Sequence, residues 1–263
     1  MKLGCSSQSY DAALQQKKLD LFSWIDLCAE VLALDGIEIE DKHFSSTEPV
    51  FLRELRQRVA QRGLILSSLT IMNNFGLATA PERAAQLDYL RRGLEMAREL
   101  GAPVLRIFAG WPAQENDEAL WAEMIECLRQ ACVQAEQAGV RLALENHNHG
   151  GFVRVGDDAL RIFEQVGSDW LRLNLDTGNY IDGLPSIERT VSHAIHVHAK
   201  LRDIAADGSE RTLDYPKILK FLKRARYRSF LSMEYEGKQD PFEVLPRAAA
   251  HLRTLLRETE DRR

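Results

Sequence analysis

The stretch of sequence that decides the fold reads RLALENH (141–147), then LRLNLDTGN (171–179) and then IHVHAK (195–200). We predict that these three short apolar runs form strands over residues 141–145, 171–176 and 195–200. The helical patterns between them cover residues 156–166 and 185–192. Strict alternation of strands and helices is typical of a parallel sheet, because parallel neighbours need a crossover connection.

The same strand–helix unit recurs about eight times along the chain. The other predicted strands cover residues 2–5, 36–39, 64–69, 104–108 and 230–234. The other predicted helices cover residues 19–33, 49–62, 81–100, 115–138, 214–226 and 240–257. Pro81 suits a first helical turn, and Gly63, Gly101 and Gly139 suit helix ends. A doubly wound sheet is the competing α/β fold, but the absence of a GxGxxG turn after the first strand favours a (β/α)8 TIM barrel.

The composition is typical of a soluble globular protein, which we expect to be one TIM-barrel domain over residues 1–263. Hydrophobic residues make up 45% of the chain, and 34 basic against 39 acidic side chains give a net charge of −5. This balance gives no reason to expect a nucleic-acid partner. No apolar run approaches the ~20 residues of a membrane span. No apolar segment precedes Cys5, so we expect no secretory signal and a cytoplasmic protein with four reduced cysteines.

Charged or imidazole side chains lie at the ends of four successive predicted strands. They are Glu145, Asp176, His198 and Glu234. The carboxyl ends of barrel strands meet at one mouth, where the active site lies. Three carboxylates and one imidazole in one place would be costly without a cation, so they predict a site for one divalent metal ion. Mn²⁺ is our first expectation, with Mg²⁺, Co²⁺ or Zn²⁺ as alternatives. Otherwise the four are unrelated surface charges at loop starts.

Seven further residues are candidates for contact with a substrate. They are Glu38, His43, Arg106, Trp111, His147, Asn179 and Lys200. Lys200 shares a strand face with His198, so its ammonium should reach the same pocket unless it is a solvated loop lysine. Arg106 suits a polar substrate group, or else a structural ion pair. For His147 the alternative is a structural hydrogen bond, and for Trp111 it is packing.

Four strings of sequence resemble the xylose-isomerase-like TIM-barrel superfamily, which includes sugar phosphate isomerases/epimerases and endonuclease IV relatives. They read ALENH (143–147), LNLDTGN (173–179), HVHAK (196–200) and SMEYEG (232–237). The resemblance covers nearly the whole chain. It implies that Glu145, Asp176, His198 and Glu234 bind the metal. It further implies that Glu145 and Glu234 are the catalytic acid–base pair.

The implied activity is that of a metal-dependent isomerase or epimerase of a keto-sugar or related polyol ketone. Such an enzyme removes a proton next to a metal-bound carbonyl. The implied partner is a small carbohydrate, and homo-oligomers are common among relatives. Whether the substrate carries a phosphate stays open.

One residue departs from the family pattern, since Asn179 stands where relatives often carry a histidine. In epimerases that histidine helps to hold substrate, so the substrate contact here is expected to differ. The endonuclease IV relatives need further histidines on strands 2 and 3. Residues 67–76 contain none, which argues against DNA repair.

Two alternatives to the epimerase remain at this stage. The 3-dehydroshikimate dehydratases resemble this chain at Arg106, His147 and Lys200. Like the inosose dehydratases of the superfamily, they begin with the same α-proton removal, so the sequence does not separate the reactions. A non-catalytic sugar-binding barrel is the other alternative, against which the intact Glu145 and Glu234 argue.

Overall fold

The computed structural model describes residues 1–114, 117–147 and 149–261. In this part of the chain eight parallel strands form a closed barrel, with each strand paired to its neighbours in sequence and the last paired to the first. The strands are β1 (Lys2–Ser6), β2 (Gly36–Glu40), β3 (Ile65–Thr70), β4 (Val104–Ile107), β5 (Arg141–Glu145), β6 (Leu171–Asp176), β7 (Ala194–Leu201) and β8 (Phe230–Tyr235). The predicted (β/α)8 barrel is confirmed.

Helices connect the strands around the outside of the barrel. They are α1 (Asp11–Gln15), α2 (Leu21–Glu30), α3 (Pro49–Gln61), α4 (Ala80–Leu100), α5 (Glu118–Ala138), α6 (Gly156–Val166), α7 (Leu184–Thr190), α8 (Tyr215–Arg224) and α9 (Pro241–Asp261). Short 3-10 turns cover Ser7–Tyr10, Asp41–His43 and Val191–His193. Within the described ranges, no helix combines the length and apolarity that a membrane crossing requires.

The predicted elements differ from the observed ones mainly at their ends. The short helix α1 was not predicted, because five residues are too few to show a helical period. The predicted helix over 185–192 is divided into α7 and a 3-10 turn. The predicted helix over 115–138 begins at residues 115 and 116, which lie outside the described residues. The observed α5 begins after Asp117, whose side chain accepts hydrogen bonds from the N–H groups of Ala119 and Leu120.

Local sequence signals explain how α4 returns the chain to β4. Thr79 and Glu82 form a capping box at its start, where each side chain accepts a hydrogen bond from the other residue's N–H. Gly101 ends the helix with φ 77°, a left-handed conformation that favours glycine. The chain then enters β4 three residues later, which places Arg106 inside the barrel.

The lumen of the barrel is apolar at its amino-terminal end and polar toward the mouth. The ring of Phe230 occupies the first level, and a Cβ atom on Gly36 would lie 2.5 Å from this ring. Above it, the polar side chains of Glu38, His196 and Asn174 are buried. Buried polar groups need hydrogen-bond partners, so this arrangement requires a continuous polar network. That network supports the candidate site.

Candidate metal centre

Four adjacent strands each place one buried side chain at the same level of the lumen. They are Glu145 on β5, Asp176 on β6, His198 on β7 and Glu234 on β8. One ligand atom from each of them lies within 4.8 Å of the others. The strand register causes this, since Asp176 pairs with His198 and Glu234 pairs with Lys200. The described residues therefore contain the predicted group of side chains in a geometry able to hold a metal ion.

The ring of His198 is oriented by a carboxylate on the far side of the lumen. Its Nε2 lies 2.8 Å from Glu38 Oε1 and donates a hydrogen bond to it, since an ionised carboxylate can only accept. Nδ1 then faces the other carboxylates, 3.3 Å from Glu145 Oε2 and 3.4 Å from Glu234 Oε1. A carboxylate behind the imidazole is the usual support of a metal-binding histidine.

Two buried atoms at the centre of the group lack hydrogen-bond partners within the described ranges. They are Asp176 Oδ2 and His198 Nδ1, which lie 3.9 Å apart. The other Asp176 oxygen accepts the N–H of Gly178 at 2.7 Å. The Lys200 ammonium forms an ion pair with Asp176 Oδ2 at 3.1 Å, whereas His198 Nδ1 faces carboxylate oxygens, and one cation between the two atoms would contact both.

The charges of the buried cluster also favour a cation. Its buried carboxylates belong to Glu38, Glu40, Glu145, Asp176 and Glu234. Two buried cations, Arg106 and Lys200, pair with this set. Lys42 also pairs with Glu40 at 2.8 Å, so in the described part of the chain the five carboxylates exceed their cationic partners by two. Oxygen and imidazole donors with this excess of negative charge fit a hard divalent ion.

The two glutamates lie in different electrostatic surroundings. Burial raises the pKa of Glu145, and the nearby Arg106 and His198 offset this only in part. Burial also acts on Glu234, but the Lys200 ammonium and His198 outweigh it and hold the pKa of Glu234 well below its usual value. Carboxyl groups whose pKa values are pushed in opposite directions are typical of acid–base pairs.

Lys200 is buried against three carboxylates. Its Nζ lies 3.1 Å from Asp176 Oδ2 and 3.0 Å from Glu236 Oε2, and it also donates to Glu234 Oε2. Burial lowers the pKa of Lys200, but these partners outweigh it and hold the pKa well above its usual value. The side chain packs on Gly178, where a Cβ atom would lie 2.6 Å from Lys200 Cγ. Lys200 therefore reaches the pocket that the sequence predicted, and its contact with substrate stays a prediction.

Arg106 links two carboxylates inside the barrel. Its Nη2 donates to Glu40 Oε1 at 3.0 Å, and its Nε lies 3.1 Å from Glu145 Oε2. Nη1 donates to the backbone oxygen of Ile71 at 3.2 Å, and the guanidinium lies 4.4 Å from the ring centre of Phe108. This is the ion-pair alternative considered for Arg106, and a direct contact with substrate stays a prediction.

An aromatic wall stands beside Glu145. The rings of Phe108, Trp111 and His147 pack at centroid distances of 5.0–5.4 Å. These residues and Glu145 line one small cavity. Burial lowers the pKa of His147 to about 4, so its ring is neutral at pH 7. Trp111 and His147 thus lie beside Glu145, and their contact with substrate stays a prediction.

The remaining predicted substrate residues lie in different places. Glu38 is buried beneath His198 and also lies 3.3 Å from His196 Nε2. His43 uses both ring nitrogens elsewhere, at 2.8 Å from Ser7 Oγ and 2.9 Å from Asp11 Oδ1. Asn179 is buried in the loop three residues after Asp176. Substrate contacts by these three side chains stay predictions.

Sequence reasoning missed one residue of the network entirely. Asn174 Nδ2 donates to Glu145 Oε2 at 2.8 Å, while Asn174 Oδ1 lies 3.0 Å from His196 Nδ1. The signal was present, because Asn174 precedes Asp176 by two residues and so shares its strand face. Glu40 and Glu236 also belong to the network, and neither was among the predicted site residues.

Comparison with known proteins gives two relatives in sequence. The putative hydroxypyruvate isomerase of Homo sapiens is 27% identical over 195 residues, which are 65% of this chain and 67% of that protein. The C-glycoside deglycosidase alpha subunit of Arthrobacter globiformis is 30% identical over 89 residues, which are 31% of this chain. That match spans 23% of the subunit.

Solved structures share the fold over almost the whole chain. D-psicose 3-epimerase from Clostridium cellulolyticum H10, solved with D-tagatose, superposes with a TM-score of 0.80 at 17% identity and covers 97% of this chain and 99% of its own. The probable 3-DHS dehydratase AsbF from Bacillus anthracis superposes with a TM-score of 0.79 at 16% identity, and the match covers 96% of this chain and 99% of that chain.

The match to a family model covers most of the chain. Residues 25–255 fit the model described as xylose isomerase-like TIM barrel. This range includes all four residues of the candidate metal centre. The chain therefore belongs to the xylose isomerase-like TIM barrel family.

Proposed function

We propose that the protein is a divalent-metal-dependent epimerase or isomerase of a keto-sugar or related polyol ketone, with Mn²⁺ as the first candidate ion. The observation that carries the proposal is the pair of glutamates around His198 Nδ1, at 3.3 Å for Glu145 and 3.4 Å for Glu234. The names of the structural neighbours and of the human relative support this class of substrate.

Glu145, Asp176, His198 and Glu234 would hold the ion. The ion would polarise the carbonyl of a bound ketone and so lower the pKa of the neighbouring C–H group. Residues of the chain would then move the proton. Buried carboxylates suit this role because burial and neighbouring charges adjust their pKa values.

Glu145 is held for this task by one hydrogen bond and one ion pair on the same oxygen. Asn174 Nδ2 donates a hydrogen bond to Oε2, and Arg106 Nε forms an ion pair with the same oxygen at 3.1 Å. The side chain lines the cavity bounded by Phe108, Trp111 and His147. A substrate carbon brought against this aromatic wall would lie beside Glu145, and the wall would keep water from competing for the proton.

Glu234 is held from the opposite side of the cluster. Lys200 Nζ donates to Oε2, while Oε1 faces His198 Nδ1. The Lys200 ammonium favours the ionised form of Glu234, which can bind a cation and accept a proton. One carboxyl group would remove the α-proton, and the other would return a proton to a different face or atom.

The test is turnover and deuterium exchange with Glu145→Gln and Glu234→Gln. Each variant should lose about 10²–10⁴-fold in kcat, the usual contribution of an acid–base group. Metal content measured on the same samples separates loss of the proton shuttle from loss of the ion. Glu164→Gln, an exposed carboxylate of α6, is the control and should retain turnover.

The substrate panel should contain ketohexoses, ketopentoses, hydroxypyruvate and 3-dehydroshikimate. Incorporation of solvent deuterium next to the carbonyl of a ketose, without loss of water, supports the proposal. An ultraviolet-absorbing product from 3-dehydroshikimate would instead establish the dehydratase reaction. Unchanged turnover in either glutamine variant contradicts the proposed proton shuttle.

A further inference from the structure

The ammonium group of Lys200 has no donor left for a substrate. An ammonium carries three N–H groups. In the described structure Nζ contacts the carboxylates of Asp176, Glu234 and Glu236. The side chains of Asp176 and Glu234 are 0% and 4% exposed, whereas that of Glu236 is 39% exposed. Glu236 is therefore the partner that a molecule entering from the mouth meets first.

The backbone fixes Glu236 at this position. The N–H of Glu236 donates to Leu201 O at 2.9 Å, which extends the pairing of β7 and β8 by one residue. A Cβ atom on Gly237 would lie 2.3 Å from Arg202 O, so glycine allows the chain to pack closely there. Glu236 also shares its strand face with Glu234, since side chains alternate with a period of two. Its carboxylate is thus directed to Lys200 by the fold.

We propose that Glu236 is a displaceable counter-ion of Lys200, and that it selects uncharged over anionic substrates. A hydroxyl or carbonyl oxygen of the substrate takes the third donor of Lys200, and Glu236 turns toward water at the mouth. The inference rests on the proposed function, because it assigns a substrate group to Lys200. It adds a specificity-determining residue outside the metal ligands.

The charge balance supports selection against anions. Arg106, Lys200 and Lys42 offset the charge of three of the five carboxylates of the cluster, so one divalent ion balances the remaining two. Glu236 adds a further negative charge next to Lys200. A carboxylate or phosphate of a substrate at Lys200 would meet the charge of Glu236, at a separation where unit charges still interact appreciably. A neutral polyol oxygen meets no such repulsion.

The experiment compares Glu236→Gln with Glu243→Gln in the metal-loaded, full-length protein. Calorimetric titration measures binding of D-glucitol and D-gluconate, which differ in carrying an alcohol or a carboxylate at one end and lack the ketone needed for reaction. Glu236→Gln should raise the affinity for gluconate relative to glucitol by about tenfold, because one nearby charge is removed. Glu243, an exposed residue in the first turn of α9, is the matched control, and its variant should keep the wild-type ratio.

The outcomes separate this inference from the proposed function. An unchanged affinity ratio in Glu236→Gln overturns the inference, and wild-type turnover of a ketose would leave the proposed function standing. A shifted ratio without turnover of any ketose supports the role of Glu236 and contradicts the proposed reaction. If neither D-glucitol nor D-gluconate binds to the wild type or to either variant, the inference is overturned. The proposed function is judged separately, from turnover of a ketose.

Discussion

Strands β5–β8 and strands β1–β4 contribute different groups to the metal centre. Strands β5–β8 supply all four residues of the candidate ligand set, one from each strand. Strands β1–β4 supply side chains that support those residues. Glu38 on β2 lies behind His198, and Arg106 on β4 lies beside Glu145. The comparison shows that one side of the lumen provides the candidate ligand atoms and the opposite side provides the groups that orient them.

This division has a physical reason in the closed barrel. Side chains from opposite strands meet across the lumen, so a residue of β2 can support a residue of β7 that lies 160 positions away. An imidazole needs a partner on its second nitrogen, and its neighbours on β6 and β8 already face the ion site. The supporting group therefore comes from across the barrel.

The largest effect is expected from removing a ligand in the β5–β8 half. Asp176→Ala should lose its metal, with affinity lowered more than the 10–100-fold typical of supporting residues, and turnover should fall with it. The reason is the loss of Oδ2, which lies at the centre of the group. Metal content per chain is measured by mass spectrometry on protein purified without chelators.

The control for this variant is Asp182→Ala, an exposed carboxylate in the loop after β6. It should keep about one ion per chain. Wild-type protein that binds no ion, even after reconstitution with Mn²⁺, Mg²⁺, Co²⁺ or Zn²⁺, would contradict the metal centre. Two or three zinc ions per chain would instead indicate an endonuclease IV-like site.

The next effect concerns stability and the β1–β4 half. Arg106→Met should lower the free energy of unfolding by about 3–5 kcal/mol, because Glu40 and Glu145 would stay buried without their common cation. Urea denaturation measures the change. Arg98→Met, an exposed arginine of α4, should change stability by less than about 0.5 kcal/mol. Equal effects in the two variants would show that Arg106 is not a supporting residue.

The smallest effect is expected from Glu38→Gln. The amide can still contact His198 but no longer holds a full charge behind its ring, so metal affinity should fall about 10–100-fold. Competition with a metal indicator measures the dissociation constant. Glu48→Gln, exposed before α3, is the control and should bind as wild type does. If Glu38→Gln lost metal as completely as Asp176→Ala, the distinction between ligands on β5–β8 and supporting residues on β1–β4 would be wrong.

The sequence by itself determined the barrel and the four residues of the candidate centre. Alternating strands and helices predict a parallel sheet, and each element can be recognised from its own short stretch of sequence. Glu145, Asp176, His198 and Glu234 could be found because each lies at the end of its strand, and the ends of parallel strands share one mouth. The same locality explains why strand positions were predicted well, while α1 was missed.

Only the tertiary structure decided which residues support that centre. Glu38 lies beneath His198, a contact that the sequence did not predict, because barrel closure sets the partner across the lumen. Asn174 and Glu236 join the network through the register of β5–β8. Contacts between distant strands depend on the register and closure of the sheet, which no local pattern encodes. The sequence thus identified the candidate ligands, and the fold decided which side chains support them.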